Sequence, residues 1–219
     1  MKDLQKMSPV ELKSCSILAS VYALRMLGMF LILPIFAIYA TNLDSNPTSL
    51  QIGLALGIYG LTQAIFQIPF GMSSDYFGRK KVIYFGLLLF IIGSLIAGYS
   101  TSIEGIILGR SIQGSGAISA VLTALLADIT REEQRTKAMA IIGASIGLTF
   151  ALSLVLSPWL NDLIGVDGIF ILMATLSFIA FLLVYFFIKE PEIRKEKTKT
   201  SADEFLKILK DINLFRMNF

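Results

Sequence analysis

The sequence predicts an all-α membrane protein that crosses the bilayer with six transmembrane helices. Its 219 residues are 55% hydrophobic and only 16% charged, whereas soluble domains carry about 25% charged residues. The mean hydropathy is +0.72, and the uncharged residues form long apolar stretches instead of being spread evenly along the chain. Lipid tolerates only helices and closed barrels, and no segment shows the alternating pattern of barrel strands. A compact bundle of six helices is therefore expected.

Each predicted span is long enough to cross a membrane. A hydrocarbon core about 30 Å thick needs about 20 consecutive apolar helical residues. Short polar connections with turn-forming residues separate the stretches. Residues 1–16 precede the first span, and residues 189–219 are charged and then amphipathic, as expected of a cytoplasmic linker. The spans cover residues 17–40, 52–72, 82–99, 106–127, 138–160 and 169–188, so residues 17–188 form the membrane domain.

The basic residues predict an orientation for the bundle. All but two of the 19 Lys and Arg residues lie before the first span, in the connections after spans two and four, or in the tail. In the other connections, all charged residues are acidic. The positive-inside rule therefore places both termini in the cytoplasm. The net charge of +3 is then a topology signal. Contact of the tail with anionic lipid is the alternative, and we expect no nucleic-acid partner.

The composition excludes several classes of enzyme. The sequence has no histidine and a single cysteine, Cys15. Without histidine there is no Ser-His-Asp or Cys-His arrangement. One cysteine excludes an intrachain disulfide, a CxxC pair and a cysteine zinc site, and no Walker A run is present for ATP-driven pumping. We therefore predict that the protein is not an enzyme and has no catalytic residue, cofactor or metal site.

Two of the spans carry small hydroxyl side chains at every fourth residue. This spacing places them along one helix face, and small residues allow the close approach that helix pairs in lipid need. We predict helix packing, with the lining of a polar cavity as the alternative. The residues are Ser111, Ser115, Ser119 and Thr123 in span four, and Ser145, Thr149, Ser153 and Ser157 in span five.

A few larger polar residues lie at membrane depth. Tyr59, Gln63 and Gln67 form a line on span two, for which cavity lining and packing are both open. Arg25 lies about 12 Å from the cytoplasmic end of its span, where an arginine costs about 2.5–3.5 kcal/mol. We expect a substrate, ion or gating role for it, with snorkelling or pairing to backbone carbonyls as alternatives. Arg110 lies about one turn from the outer face, so geometry alone favours snorkelling.

The connection between spans two and three predicts an ion-pair network at the inner surface. Gly71 allows close helix approach, and Gly78 permits a left-handed turn. Asp75 can face the positive end of a neighbouring helix, Arg79 follows it by four residues, and Asp128 ends span four on the same side. A solvated tight turn with topology-setting charges is the alternative.

The same connection resembles a motif of the major facilitator superfamily. The run from Gly71 to Lys81 is similar to Gly-x-x-x-Asp-Arg-x-Gly-Arg-Lys/Arg, with Tyr76 at the first basic position. The run from Arg110 to Ala117 resembles the superfamily's span-four motif, Arg-x-x-Gln-Gly-x-Gly-Ala. Weaker likenesses to the drug:proton antiporters comprise Leu27, Gly28 and Pro34 in span one, and Ala144, Ser153, Ser157 and Pro158 in span five, where small residues replace the glycines.

The resemblance implies alternating access by two parallel six-helix halves, each an inverted 3+3 repeat. It implies proton-coupled efflux of small organic solutes from a bacterial inner membrane. Pathway candidates are Arg25, Tyr59, Gln63, Gln67, Arg110 and Gln113. The implied latch of the outward-facing state comprises Gly71, Asp75, Gly78, Arg79, Lys80 and Asp128, and packing residues are Gly114, Gly116, Ser153, Ser157 and Pro158.

Six spans make only half of that architecture. We expect the chain to be a truncated or fragmentary N-terminal half of a full-length transporter. In the alternative, a second copy or a separate partner supplies the other half. A non-transporting scaffold or sensor with six spans is the competing function. The sequence leaves the identity of the solute open.

Overall fold

The computed structural model describes residues 7–43 and 46–188, and all regular structure in these ranges is helical. The predicted linker at residues 189–219 lies outside the described residues. The all-α fold is confirmed. The helices are α1 (Pro9–Ile32), α2 (Phe36–Thr41), α3 (Ser49–Phe77), α4 (Arg79–Tyr99), α5 (Ile103–Ser115), α6 (Ser119–Ile129) and α7 (Arg135–Phe187), with a short 3-10 turn (Glu132–Gln134) before α7.

Five helical stretches of the described chain are long and apolar enough to span a membrane. They are α1, α3, α4, the α5 and α6 pair, and a final stretch of 56 residues, Glu132–Phe187. At about 1.5 Å per residue this last stretch is about 84 Å long, enough for two crossings of a core about 30 Å thick. The backbone of Gly165 interrupts it, with φ 67° and ψ 175°.

The chain reverses its direction at Gly165. Before it, Ser157 donates a hydrogen bond to the carbonyl of Leu31, near the end of α1. After it, the helix returns until the ring of Phe187 lies 5.7 Å from Lys13 Nζ, near the start of α1. The long helix therefore supplies spans five and six, which gives the predicted total of six spans.

The first span lies earlier in the chain than predicted. It begins at Pro9 rather than at residue 17 and ends at Ile32 rather than at residue 40. Ser8 caps it, because its side chain accepts from the amide of Glu11 while Glu11 accepts from the amide of Ser8. Pro34 lacks an amide hydrogen and ends the helix, so the residues after it form the separate α2.

Span four is present as predicted, within Ile103–Ile129, but its helix is interrupted at its middle. α5 ends at Ser115 and α6 begins at Ser119. Gly116 lies against the carbonyl of Gly86 on α4 so closely that a Cβ there would overlap it. Hydropathy could not reveal this break, since the residues between the two helices, Gly116, Ala117 and Ile118, are themselves apolar.

The small hydroxyl residues of span five lie along α1. Span five and α1 run parallel, and three hydroxyl oxygens of span five lie within 3.5 Å of a carbonyl oxygen of α1. Ser145 and Ser153 donate over a shorter distance, 2.7 Å, to carbonyls of their own helix. Two of the same residues, Ser153 and Ser157, are fully buried. The pairs are Ser145 with Ala19 at 3.4 Å, Ser153 with Leu27 at 3.5 Å, and Ser157 with Leu31 at 2.5 Å, all 126 residues apart. These contacts are those of helix packing, the role predicted for this stripe.

Two turns have matching backbones, in agreement with an inverted repeat. Among the described residues, Gly78 and Gly165 are the glycines with positive φ. Gly78 joins spans two and three, and Gly165 joins spans five and six. Pro69 and Pro158 lie inside the helices that precede these turns.

Gly114→Ala should lower the midpoint of thermal unfolding in detergent. A Cβ at this position would overlap Thr62 Oγ1 and the carbonyl of Tyr59, and overpacking costs about 1–3 kcal/mol. Gly57→Ala is the matched control, because nothing lies within 4 Å of a Cβ there. Equal midpoints for the two variants would contradict the close contact of Gly114 with α3.

Candidate functional site

The polar residues of the bundle form two groups at different depths. The polar core lies within the spans and contains Arg25, Tyr59, Gln63, Arg110 and Gln113. The other group lies at the basic end, by which we mean the end where α1 begins and α3 ends. We call its ion-pair network of Asp75, Arg79 and Asp128 the latch.

Arg110 points into the bundle and does not snorkel. Its side chain is 1% exposed. Nε donates to the carbonyl of Ala55 at 3.3 Å and Nη1 donates to Gln113 Oε1 at 3.4 Å. The guanidinium carbon lies 4.9 Å from the ring centre of Tyr59, and Gln113 in turn donates to Ser94 Oγ at 2.7 Å. Spans two, three and four thus meet around this arginine.

Arg25 is equally buried and bonds to the break in span four. It is 1% exposed, and it donates through Nη2 to the carbonyl of Gly116 and through Nη1 to Ser119 Oγ, both at 3.0 Å. Nε is buried without a hydrogen-bond partner among the described residues. Of the alternatives that the sequence left open for Arg25, pairing with a backbone carbonyl is the one observed.

An aromatic pair lies between the two arginines. The rings of Tyr59 and Phe90 meet edge to face with centres 6.3 Å apart. Arg110 lies over Tyr59, and Arg25 lies 5.6 Å from the centre of Phe90. Neither arginine forms an ion pair with a described residue. Carbonyls, hydroxyls and aromatic faces balance their charge only in part, so the polar core has an excess of positive charge.

Further groups in the polar core have unused hydrogen-bonding capacity. Tyr59 is buried and its hydroxyl has no partner, and Gln63 Oε1 is likewise buried and unpaired within the described chain. Gln67, one turn further along α3, is partly buried. Buried polar groups are normally paired, so these atoms are free to bind a further molecule or segment.

The latch has the geometry of a charged bridge between three helices. Arg79 Nη1 lies 2.7 Å from Asp75 Oδ1, and Arg79 Nε lies 2.9 Å from Asp128 Oδ2. Nη1 also donates to Ser74 Oγ at 2.6 Å, and Ser74 donates to the carbonyl of Gly71. Ser74 was not among the predicted latch residues, although it lies three residues after Gly71 on the same helix face, which was a usable signal.

The other residues of the predicted motif between spans two and three have different roles. Gly78 has φ 98° and ψ 144°, a conformation that side chains rarely adopt. Gly71, in contrast, does not mark a close helix contact, since a Cβ there would lie 3.9 Å from Ala120 Cβ. Lys80 Nζ donates to the carbonyl of Ile188 at 2.6 Å, beyond the end of α7. It therefore joins the loop to span six.

A third ion pair at the basic end was not predicted. Glu11 Oε1 lies 3.0 Å from Arg131 Nε and also accepts from the backbone amide of Arg131 at 2.9 Å. This hydrogen bonding raises the pKa of the Arg131 guanidinium. Glu11 also caps α1, so the pair fixes the start of span one to the connection after span four. The two residues are 120 positions apart, and nothing in the sequence joins them.

Of the remaining predicted packing residues, Gly114 and Gly116 lie in packed interfaces, because a Cβ on either would overlap neighbouring atoms. Pro158 follows Ser157 within α7 but is exposed, so the packing role predicted for it is not observed. In the part of the chain that the structure describes, no group of His, Cys, Asp and Glu side chains could hold a metal ion. No cofactor site is assigned.

Comparison with known proteins gives consistent matches. The Major Facilitator Superfamily model matches residues 18–218. The inner membrane transport protein YajR of Escherichia coli (strain K12) is 45% identical over 216 residues, which cover 98% of this chain and 47% of YajR. The tetracycline resistance protein, class B, of Escherichia coli is 29% identical over 178 residues, covering 80% of this chain and 44% of that protein.

The fold also matches solved structures. A bacterial homologue of the human lysosomal transporter Spinster, in an inward-facing and unoccupied conformation, superimposes with a TM-score of 0.72 at 16% identity. The match covers 92% of this chain and 49% of that one. The chain therefore spans about half the length of the relatives it matches.

The ion pair between Arg79 and Asp128 should contribute weakly to stability. Their side chains are 18% and 41% exposed, and exposed ion pairs are worth about 0.2–1 kcal/mol. A double-mutant cycle of Arg79→Gln and Asp128→Asn is expected to give a coupling free energy in that range, which falls as salt is added. Lys81→Gln is the control, since Lys81 forms no ion pair with the described residues. Equal coupling for Lys81 and Arg79 would contradict the observed pair.

Proposed function

Because the chain belongs to the Major Facilitator Superfamily, we propose that it forms one half of a secondary active transporter that exports small organic solutes in exchange for protons. The observation that supports this most strongly is the polar core, with two arginines at membrane depth. A charged residue there is expensive and commonly belongs to a transport pathway. One relative is named for tetracycline resistance; export of a toxic solute would produce resistance, which favours export as the direction.

The polar core supplies one wall of the solute pathway in this proposal. On span two, Gln63 and Gln67 are partly exposed and Tyr59 has an unpaired hydroxyl, and on span four the buried Arg110, bonded to Gln113, adds a positive charge. Arg25 adds a second positive charge from span one. Since the excess charge is positive, the pathway suits solutes with acceptor or anionic groups. No Asp or Glu lies in the middle of a described span, so a carboxylate that carries the exchanged proton would belong to the other half.

A second six-helix half would supply the opposite wall. Two helix faces of the described bundle are open, and both carry glycines with nothing within 4 Å of a Cβ. Pairs of small residues four apart are typical of helix contacts in lipid. The chain covers 47% of YajR, which leaves room for such a half in that relative. The open glycines are Gly53, Gly57 and Gly60 on α3, and Gly143 and Gly147 on α7.

The latch would control access to the pathway from one side. It joins α3, α4 and α6 at the basic end, which the positive-inside rule places in the cytoplasm of an inner-membrane protein. The name of YajR also includes the inner membrane. With the latch closed the pathway opens outward, and its release permits the inward-facing state.

Proteoliposomes that contain the complete transporter test the function. An imposed pH gradient should drive uptake or efflux of at least one solute in a broad panel. Arg110→Gln should reduce this flux about tenfold or more, because hydrogen bonds from charged donors are lost in the core. Leu108→Ala, on the exposed face of α5, is the control. Flux that ignores the gradient across the whole panel would refute the proposal.

Asp75→Asn should shift the latch toward its open state. A cysteine introduced at Ala120 should then react about two- to fivefold faster with an impermeant maleimide added at the basic end, as expected for the loss of an exposed ion pair. Native Cys15 is fully buried, so background labelling is low. Lys81→Gln removes a charge from the same loop and should leave the rate unchanged. Equal rates for Asp75→Asn and the parent would contradict the latch.

A further inference from the structure

Span four has an interrupted backbone at membrane depth. α5 ends with Gly116 as its C-cap, and α6 begins at Ser119 without a side-chain cap. An interrupted helix leaves amide and carbonyl groups that lipid cannot satisfy. Such irregular backbone is tolerated only where protein groups or a polar cavity pair with it. At this break the amides of Gly116 and Ile118 donate to the carbonyls of Gln113 and Gly116, and side chains of neighbouring spans supply further hydrogen bonds.

Span one supplies those side chains through two residues one turn apart. Arg25 donates to the carbonyl of Gly116 on one side of the break and to Ser119 Oγ on the other. Tyr22 donates to the backbone carbonyl of Ser119, and its hydroxyl lies 2.8 Å from Thr123 Oγ1. One guanidinium thus contacts both halves of span four, while Tyr22 contacts only the second half.

Span three supports the break from the opposite side by shape alone. Gly86 has no Cβ, and one placed there would overlap the side chain of Ile118 in the break. The same glycine lies next to Gly116. Phe90, one turn along α4, places its ring under Arg25. None of these contacts is a hydrogen bond, so the hydrogen bonds from side chains of other spans to the break come from span one.

We infer that Arg25 is a positioning residue that sets the angle between α5 and α6. α5 carries Arg110 and Gln113 of the polar core, and α6 carries Asp128 of the latch at its C-terminal end. The break lies between these two groups, so the angle set by Arg25 determines how the latch stands relative to the core. The unpaired Nε leaves one donor for a different partner when the angle changes. The link between core and latch rests on the proposed function, whereas the control of the angle does not.

Spin labels on both sides of the break test this inference directly. Cysteines replace Leu108 on α5 and Ala127 on α6 in a Cys15→Ser background, and pulsed electron resonance gives the distance distribution in nanodiscs. An unbroken helix would separate the two positions by about 28 Å. The parent should give a single narrow distribution, and Arg25→Met should widen it about twofold or add a second population. Arg25→Lys, which keeps the charge, should restore part of the narrow distribution.

Arg110→Met is the matched control for these distances. Arg110 is as buried as Arg25 and bonds to a carbonyl of another helix, but it does not touch the break. Its variant should keep the parent distribution. An unchanged distribution for Arg25→Met, or equal widening for both variants, would overturn the inference. If Arg25→Met does not fold, Ser119→Ala should give a smaller widening in the same labels, and an unchanged distribution there would equally refute it.

The distance measurement also separates this inference from the proposed function. It needs no solute, so a failure to find transport leaves its result intact. If transport is found, Arg25→Met should lower flux in proportion to the fraction of molecules with an altered angle. Normal flux with a widened distribution would show that the angle does not connect the core to the latch.

Discussion

The demand that backbone polar groups find partners inside the protein governs this bundle. Regular helices meet it automatically, and the irregular points need individual solutions. Pro34 ends α1 near one face of the bundle, and Gly165 reverses the chain where spans five and six meet. The break near Gly116 is the demanding case, since it lies deep in the bundle and relies on Arg25 from another span. An arginine that is costly in lipid is thereby part of what makes an interrupted helix possible.

Two charged groups of the described bundle, the latch and the polar core, have opposite energetic characters. Arg79 of the latch binds partners that are 60% and 41% exposed, so water and salt screen its ion pairs and a small free energy opens them. The arginines of the polar core are almost fully buried and have no carboxylate partner in the described chain. Their charges are expensive to hold and cannot be rearranged without replacing several hydrogen bonds. The bundle thus combines a weakly held end with a firmly held centre.

Much of the fold could be predicted, because hydropathy and charge are local properties of the sequence. The six spans follow from the long apolar stretches. The pairing of Asp75 with Arg79 follows from their separation of four residues. The break in span four could not be predicted, since its residues are as apolar as their neighbours and glycines such as Gly116 equally suit close packing. The partner of Arg25 is 91 positions away, and that of Glu11 is 120 positions away. Only the arrangement of the helices reveals such pairs.

The constant offset between span five and α1 has a mechanical consequence. Three hydroxyls of span five lie against carbonyls of α1 at the same separation of 126 residues, from Ala19 to Leu31. A slide of one helix along the other would move all three out of contact together, so the two helices share one register. Arg25 lies on α1, so its hydrogen bonds connect the bend in span four to this shared register.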